Sequence, residues 1–288
     1  MSNPDPAVAP SPARRGLGLG LIATELSVLF SRRRTWAMLL ALAAVPILIA
    51  VAVRLSSGNG RGPGGGPSFV GAITGNGLFV GVAALVLSIP LFLPLTIGVV
   101  AGDTIAGEAS QGTLRYLLVV PAGRVRLLIV KFVGAAVFAI AAPLAVVIAG
   151  TIIGAILFPI GDVTLLSGDQ ISIGEGIARL LLIGAYVAVS MLGLTAIGLF
   201  ISTLTDVPVG AMAATVVLAV TSQVLDALPQ IAWLHPFLFT DHWLGLIDLL
   251  RQPILLDGFG QNALLQLGYV VVFGALAYGR FTTRDVLA

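Results

Sequence analysis

The chain has 288 residues, of which 58% are hydrophobic and 10% are charged, and its formal net charge is +2. Soluble globular proteins have about 45–50% apolar and about 25% charged residues. This composition therefore excludes a water-soluble enzyme and a disordered protein, and the lack of cysteine excludes a disulfide scaffold. We expect a protein that crosses a membrane several times.

Six apolar runs are long enough to cross a bilayer, because a spanning helix needs about 20 apolar residues. In chain order they are Thr35–Val53, Gly77–Ala101, Leu127–Phe158, Ile177–Ile201, Val207–Leu225 and Asn262–Tyr278. Pro46, Pro90, Pro94 and Pro143 are expected to kink or interrupt their spans, and the second span, with two of them, should be the least regular. The predicted fold is an all-α polytopic membrane protein whose six-span domain covers residues 35–288.

The basic residues predict the orientation. Of the 15 basic residues, eleven lie on the same side of the membrane as the N-terminus if all six runs cross it, and four lie on the opposite side. Since basic residues accumulate in cytoplasmic loops, both termini are placed in the cytoplasm. The span interiors hold almost no charge, which argues against a proton-relay pump. Lys131 and Arg179 lie at span ends, where they are expected to snorkel or face water.

Two segments precede the first span. Residues 1–15 predict a disordered cytoplasmic tail. Residues 16–34 place Leu21, Ile22, Leu26, Leu29 and Phe30 near helical spacing, with Glu25 among them. This pattern predicts an amphipathic helix in the cytoplasmic interface; the alternative is an inward extension of the first span.

The external stretch 226–261 is too long for a turn and contains Trp233, Phe237, Phe239 and Trp243. Aromatic residues are typical of membrane interfaces, and we expect a re-entrant or interfacial segment before the last span. A seventh span is the alternative, but Asp241, His242 and Asp248 interrupt it. His235, Asp241 and His242 are too few for a metal site, and no catalytic or metal site is predicted.

The cytoplasmic stretch 102–131 is the longest interruption between spans on that side. It combines polar residues with apolar ones and turns at Pro121. It is either a docking surface for a partner or an ordinary loop whose arginines fix the topology. The Gly-rich run 58–67 lacks the Gly-Lys-Ser/Thr of a phosphate-binding loop, so we expect no ATP hydrolysis by this chain.

The same stretch resembles the loop between spans two and three of type-2 ATP-binding-cassette permeases. The similarity rests on a fixed order of residues: Glu108, Gly112-Thr113-Leu114, Leu117-Leu118, Pro121, Arg124 and Lys131. Two other parts of the chain are similar to the family. Its interface helix is matched by Glu25 before an Arg cluster, and its C-terminal ending is matched by Arg280-Phe281 followed by Arg284-Asp285. The resemblance extends over the chain from about Gly16.

The resemblance implies a permease subunit of an ATP-binding-cassette transporter, an exporter of a hydrophobic or amphiphilic substrate in a prokaryotic plasma membrane. It implies a homo- or heterodimer with a second permease and separate cytoplasmic ATPase subunits that carry ATP-Mg, with no cofactor in this chain and no nucleic-acid partner. Seven residues would couple the chain to the ATPase: Asp103, Glu108, Gly112, Thr113, Leu114, Pro121 and Arg124. The rival hypotheses are a membrane scaffold that docks a soluble partner and a passive channel.

Two further patterns concern the spans. Thr215, Ser222 and Asp226 share one helical face, where they either line a translocation path or join helices by hydrogen bonds. Three pairs of glycines four residues apart permit close helix approach: Gly77 and Gly81, Gly98 and Gly102, and Gly150 and Gly154. Their number is expected by chance in a chain with 35 glycines.

Overall fold

The computed structural model describes residues 19–58, 68–113, 123–165, 167–254 and 256–283. Its α-helices are α1 (Leu19–Ser31), α2 (Arg33–Gly58), α3 (Ser68–Gly75), α4 (Phe79–Ser88), α5 (Phe92–Ser110), α6 (Arg124–Leu157), α7 (Ile173–Ser190), α8 (Leu192–Leu204), α9 (Pro208–Asp226) and α10 (Asp257–Thr283). A short antiparallel hairpin, β1 (Val163–Thr164) and β2 (Gln170–Ile171), follows α6.

Six helical runs of the described chain are long and apolar enough to cross a membrane: Arg33–Ser56, Phe92–Ser110, Arg124–Leu157, Ile173–Leu204, Pro208–Asp226 and Asp257–Thr283. They fall in the order of the six predicted spans, so the expectation of an all-α polytopic membrane protein is confirmed. The fourth run combines α7 and α8, which a turn at Met191 separates. The helix predicted before the first span is α1, and a bend at Arg32 separates it from α2.

The second span differs most from its predicted bounds. The chain leaves helical geometry between Ser88 and Phe92, around Pro90, as expected for a residue that lacks a backbone N–H. Helix α5 then continues to Ser110, nine residues beyond the predicted end at Ala101. Helices α2 and α6 instead run without interruption through Pro46 and Pro143.

All three glycine pairs lie at close helix contacts within the chain. A Cβ on Gly77 would lie 2.3 Å from the carbonyl oxygen of Gly154, and one on Gly150 would lie 2.5 Å from Cα of Gly81. Gly77, just before α4, and Gly81 of α4 therefore face the glycine pair of α6. Gly102 of the third pair approaches the backbone of α9, where a Cβ would lie 2.7 Å from the amide nitrogen of Met212. Small residues allow this contact in a membrane protein.

Helix α6 lies at the centre of one half of the bundle, where it packs against α1, α2, α4, α5 and α7. In the other half, α8 packs against α5, α9 and α10. Helix α5 contacts both halves, and it therefore connects α1 and its neighbours to the C-terminal helices.

The segment between α9 and α10 forms an outer cap of short 3₁₀ helices, Pro229–Ile231, His235–Phe237 and Gly245–Leu250. Trp243 is buried, and its indole Nε1 donates a hydrogen bond of 3.0 Å to the carbonyl of Ser190. The Tyr186 hydroxyl donates to the carbonyl of His242 over 2.5 Å. The cap is therefore packed against α7 near its C-terminal end. Its described residues form only short helices, none of which is a candidate seventh span.

Candidate coupling site

A buried ion cluster joins three helices at the end of the bundle next to the predicted coupling loop. Lys131 of α6 is 6% exposed. Its Nζ lies 2.9 Å from both carboxylate oxygens of Glu25 on α1, and 3.0 Å from Oε1 of Glu108 on α5. A buried charge is costly unless it is paired and hydrogen-bonded, so these two carboxylates explain why the lysine can lie inside the bundle. The expectation that Lys131 snorkels to water is wrong.

Glu25 packs against a glycine of α6, Gly134. A Cβ on Gly134 of α6 would lie 3.1 Å from Cγ of Glu25, so the lack of a side chain at position 134 lets Glu25 pack closely on α6. Gly134 and Lys131 are three residues apart and share a face of α6. Helix α1 is therefore held on α6 by close packing and by charge.

A second ion cluster fixes the corner between α1 and α2. The Asp103 carboxylate accepts hydrogen bonds from Arg32, at 3.3 Å, and from Arg34. Gly107, one turn further along α5, leaves room for it, since a Cβ there would lie 2.7 Å from Oδ1 of Asp103. Helix α5 thus contacts the N-terminal segment twice, at Asp103 and at Glu108. A cavity of about 30 Å³ lies between the two clusters.

Gly112 and Thr113 end α5. The N–H of Gly112 donates to the carbonyl of Ala109, and Gly112 has a φ of +69°, the left-handed conformation that glycine adopts at helix C-termini. The Thr113 N–H donates to the Glu108 carbonyl over 3.1 Å, and its hydroxyl donates to Glu108 Oε2 over 2.6 Å. The Gly-Thr pair therefore turns the chain and orients the carboxylate that binds Lys131.

The predicted loop is shorter than its bounds of 102–131, because α5 reaches Ser110 and α6 begins at Arg124. Arg124 donates a hydrogen bond of 2.7 Å to the carbonyl of Thr282, near the end of α10. Leu114 and Pro121 of the predicted coupling residues lie outside the described residues. The structure thus places Asp103, Glu108, Gly112, Thr113 and Arg124 at the two edges of the loop.

Sequence reasoning missed Ser202 of α8. Its hydroxyl donates to the carbonyl of Gly102 over 2.8 Å and accepts from the N–H groups of Ile105 and Ala106 over 3.0 and 2.8 Å. Ser202 thus ties α8 to the turn of α5 that carries Asp103. A serine in an apolar helix gives no signal of this contact in a single sequence.

The predicted pathway residues lie at helix contacts. Thr215 is fully buried, donates to the carbonyl of Ala211 over 2.8 Å, and faces Gly98 and Gly198. The Ser222 hydroxyl lies 2.8 Å from that of Thr240 in the outer cap, and Asp226 is the last residue of α9. These contacts join helices and the cap. A lined translocation path is not required to account for the positions of Thr215 and Ser222.

A second buried polar group also went unpredicted. Asn262 donates to the hydroxyl of Ser190 over 2.7 Å. Gln266 donates to the carbonyl of Phe239 over 2.8 Å and accepts from the N–H of Gly193 over 3.2 Å. At the break between α7 and α8, Gln266 thus satisfies a backbone N–H and Asn262 binds the side chain of Ser190. Among the described residues, no group of three or more His, Cys, Asp or Glu could hold a metal ion.

Comparison with known proteins gives one family. The family model described as ABC-2 family transporter protein matches residues 21–222, which is more than half of the chain. The matched region contains both ion clusters and ends in α9, before the outer cap and α10. A comparison with curated proteins gives no match.

Proposed function

Since the chain belongs to the ABC-2 family of transporter proteins, we propose that it is the transmembrane permease subunit of an ATP-driven exporter. A separate cytoplasmic ATPase would bind ATP-Mg and supply the energy, and a second permease, identical or related, would complete the pathway. The observation that carries the proposal is the Lys131 cluster, which joins α1, α5 and α6 beside the predicted coupling loop.

The cluster can transmit a displacement of the loop in two directions. Helices α5 and α6 bound the loop; α6 contacts α1 through Lys131 and Glu25, and α5 contacts the bend that follows α1 through Asp103 and Arg32. A movement imposed on the loop would therefore reach the amphipathic helix through Lys131 and Asp103. It would reach α8 and α10 through Ser202 and Arg124. Rigid elements linked by hydrogen bonds and ion pairs are a physical route for such coupling.

The charge distribution supports an amphiphilic substrate. The two buried cations of the described spans, Lys131 and Arg179, are bound by acceptors of the chain itself. A permease for small ions would need buried charged or polar groups that face a pathway. We propose a hydrophobic or amphiphilic substrate and a location in the plasma membrane of a prokaryote.

Purification of the intact chain from its native membrane in mild detergent tests the assembly. The proposal expects an ATPase with a Gly-x-x-x-x-Gly-Lys-Ser/Thr motif to co-purify in stoichiometric amount. A lone oligomer with no ATPase would contradict it. A partner without that motif would instead support the scaffold hypothesis.

The same complex in vesicles tests the coupling residues. The variants Glu108→Gln and Arg124→Gln are expected to insert and to retain the ATPase, but to lose transport-linked ATPase stimulation. Arg251→Gln is a matched control, because Arg251 is an exposed cation of the outer cap. Normal stimulation and transport in both loop variants would contradict the assignment of the coupling site.

A further inference from the structure

An apolar groove lies on the outer half of the molecule, between the cap and α10. Its volume is about 750 Å³, within the range of about 300–1,000 Å³ that is common for small-molecule sites. Helix α10 contributes Gln261, Leu264, Gly268 and Val272, and the cap contributes Phe237 and His242. The groove lies outside the region of the family match and apart from both cytoplasmic ion clusters.

The groove has the length of one leaflet. The α10 positions 261, 264, 268 and 272 share one helical face and extend about 17 Å along the axis at 1.5 Å per residue. Half of a hydrocarbon core about 30 Å thick is about 15 Å. No heavy atom lies within 4 Å of a Cβ built on Gly268, so the floor of the groove is open at its middle.

Polarity changes along this length. The inner part is lined by Leu264, Val272 and Phe237, and the outer end by Gln261 and His242. The Nδ1 of His242 lies 2.7 Å from the Asp241 carboxylate. Asp257 precedes Gln261 by one turn of α10 and so lies on the same face.

The outer end is also acidic. Between positions 226 and 261 the chain has four aspartates and one arginine, and that arginine, Arg251, lies 3.8 Å from Asp248. A head group that carries a cation complements this end, and a purely anionic head group does not. The apolar length below it matches a single hydrocarbon chain.

We propose that this groove binds one acyl chain of an outer-leaflet phospholipid whose head group carries an amine. The acyl chain lies over Gly268 and beside Phe237, and the head group lies at the outer end near Gln261 and Asp257. The proposal is independent of ATP coupling, since it uses only the cap and α10.

Photo-crosslinking of the full-length protein in vesicles tests the site. The probe is a phosphatidylethanolamine with a diazirine on one acyl chain, and the labelled residues are mapped by mass spectrometry. We expect labelling to concentrate on the groove face at Leu264, Gly268 and Val272. The neighbouring exposed stripe of α10, with Leu267 and Val271, does not line the groove and reports ordinary contact with bulk lipid. Equal labelling of the groove residues and of this stripe would overturn the proposal.

Two variants and a second lipid sharpen the test. Gly268→Leu fills the groove, and we expect it to remove most of the labelling there. Gly274→Leu is the matched control, because a Cβ at either glycine has no heavy atom within 4 Å and Gly274 does not line the groove. Undiminished labelling of Gly268→Leu would overturn the site. A phosphatidylglycerol probe should label the groove about fivefold less; equal labelling would overturn the amine preference.

Discussion

The two buried cations of the described spans lie at opposite ends of the bundle and are bound in different ways. Lys131, 6% exposed, binds two carboxylates from two other helices. Arg179, 4% exposed, binds one carboxylate of its own helix, Glu175, and otherwise neutral acceptors of the outer cap: the carbonyls of Leu249 and Arg251 and the side chain of Gln252.

The difference follows from the shape of the two side chains. A lysine ammonium is a compact charge that can lie between two carboxylates, whereas the planar arginine fork presents five donors to several acceptors at once. Lys131 is also the single lysine of the chain. The inner cation thus holds separate helices together by charge, and the outer cation fixes the end of an irregular segment by hydrogen bonds.

Removal of the inner cation should have the largest effect. Lys131→Met leaves Glu25 and Glu108 facing each other without the ammonium group between them, and breaking a buried pair in this way costs about 3–5 kcal/mol. We expect a large fall in the thermal stability of the detergent-purified protein.

The triple variant Glu25→Gln, Glu108→Gln, Lys131→Met is the control, because it removes all three charges at once. It should recover most of the lost stability, since replacing a whole buried ion cluster by neutral groups is often close to neutral. If the triple variant is as unstable as Lys131→Met, packing and not charge holds the three helices together, and the role given to Lys131 is wrong.

The sequence predicted the six spans because hydropathy depends on composition alone. The burial of Lys131 and Arg179 was not predicted, since a cation at a span end can equally reach water. Whether such a cation is buried depends on distant partners: Arg251, over 70 positions from Arg179, and Glu25, over 100 positions from Lys131. The second span was predicted to end at Ala101 because the polar residues of the loop begin just after it, at Asp103. A helix continues through Asp103 and Glu108 because polar residues are compatible with helical geometry.

The outer cation should affect a local region. Arg179→Met leaves the carbonyls of Leu249 and Arg251 without their donor, at a cost of about 1–3 kcal/mol for a buried unsatisfied group. We expect faster backbone hydrogen exchange in the cap, residues 229–254, with little change in α5 and α6.

Arg179→Lys separates charge from geometry at the same position. A lysine keeps the positive charge but loses the planar fork, and it should restore little of the protection of the cap. Full restoration by lysine would mean that charge alone holds the outer end, and the contrast with Lys131 would disappear.

The helix end that orients Glu108 should show a smaller effect. Gly112→Ala places a side chain at a φ of +69°, which costs about 1–2 kcal/mol. Gly174→Ala is a matched control in α7, since no heavy atom lies within 4 Å of a Cβ there and its φ is not in the left-handed region. We expect lower thermal stability and weaker ATPase coupling for Gly112→Ala alone. Identical behaviour of the two variants would contradict the role of Gly112.

The smallest effect is expected for Ser222→Ala, which tests whether Ser222 joins helix and cap or lines a translocation pathway. Ser222→Ala removes the hydrogen bond to Thr240, and such bonds contribute about 0.6 kcal/mol on average in membrane proteins. Because Ser222 is buried against the cap, we expect a small fall in stability and a substrate profile equal to that of the unmodified chain. Val224→Ala, at an exposed position of the same helix, controls for general effects of α9. A changed substrate profile with unchanged stability would instead make Ser222 a pathway residue, and the outer end would then contact substrate as well as hold the cap.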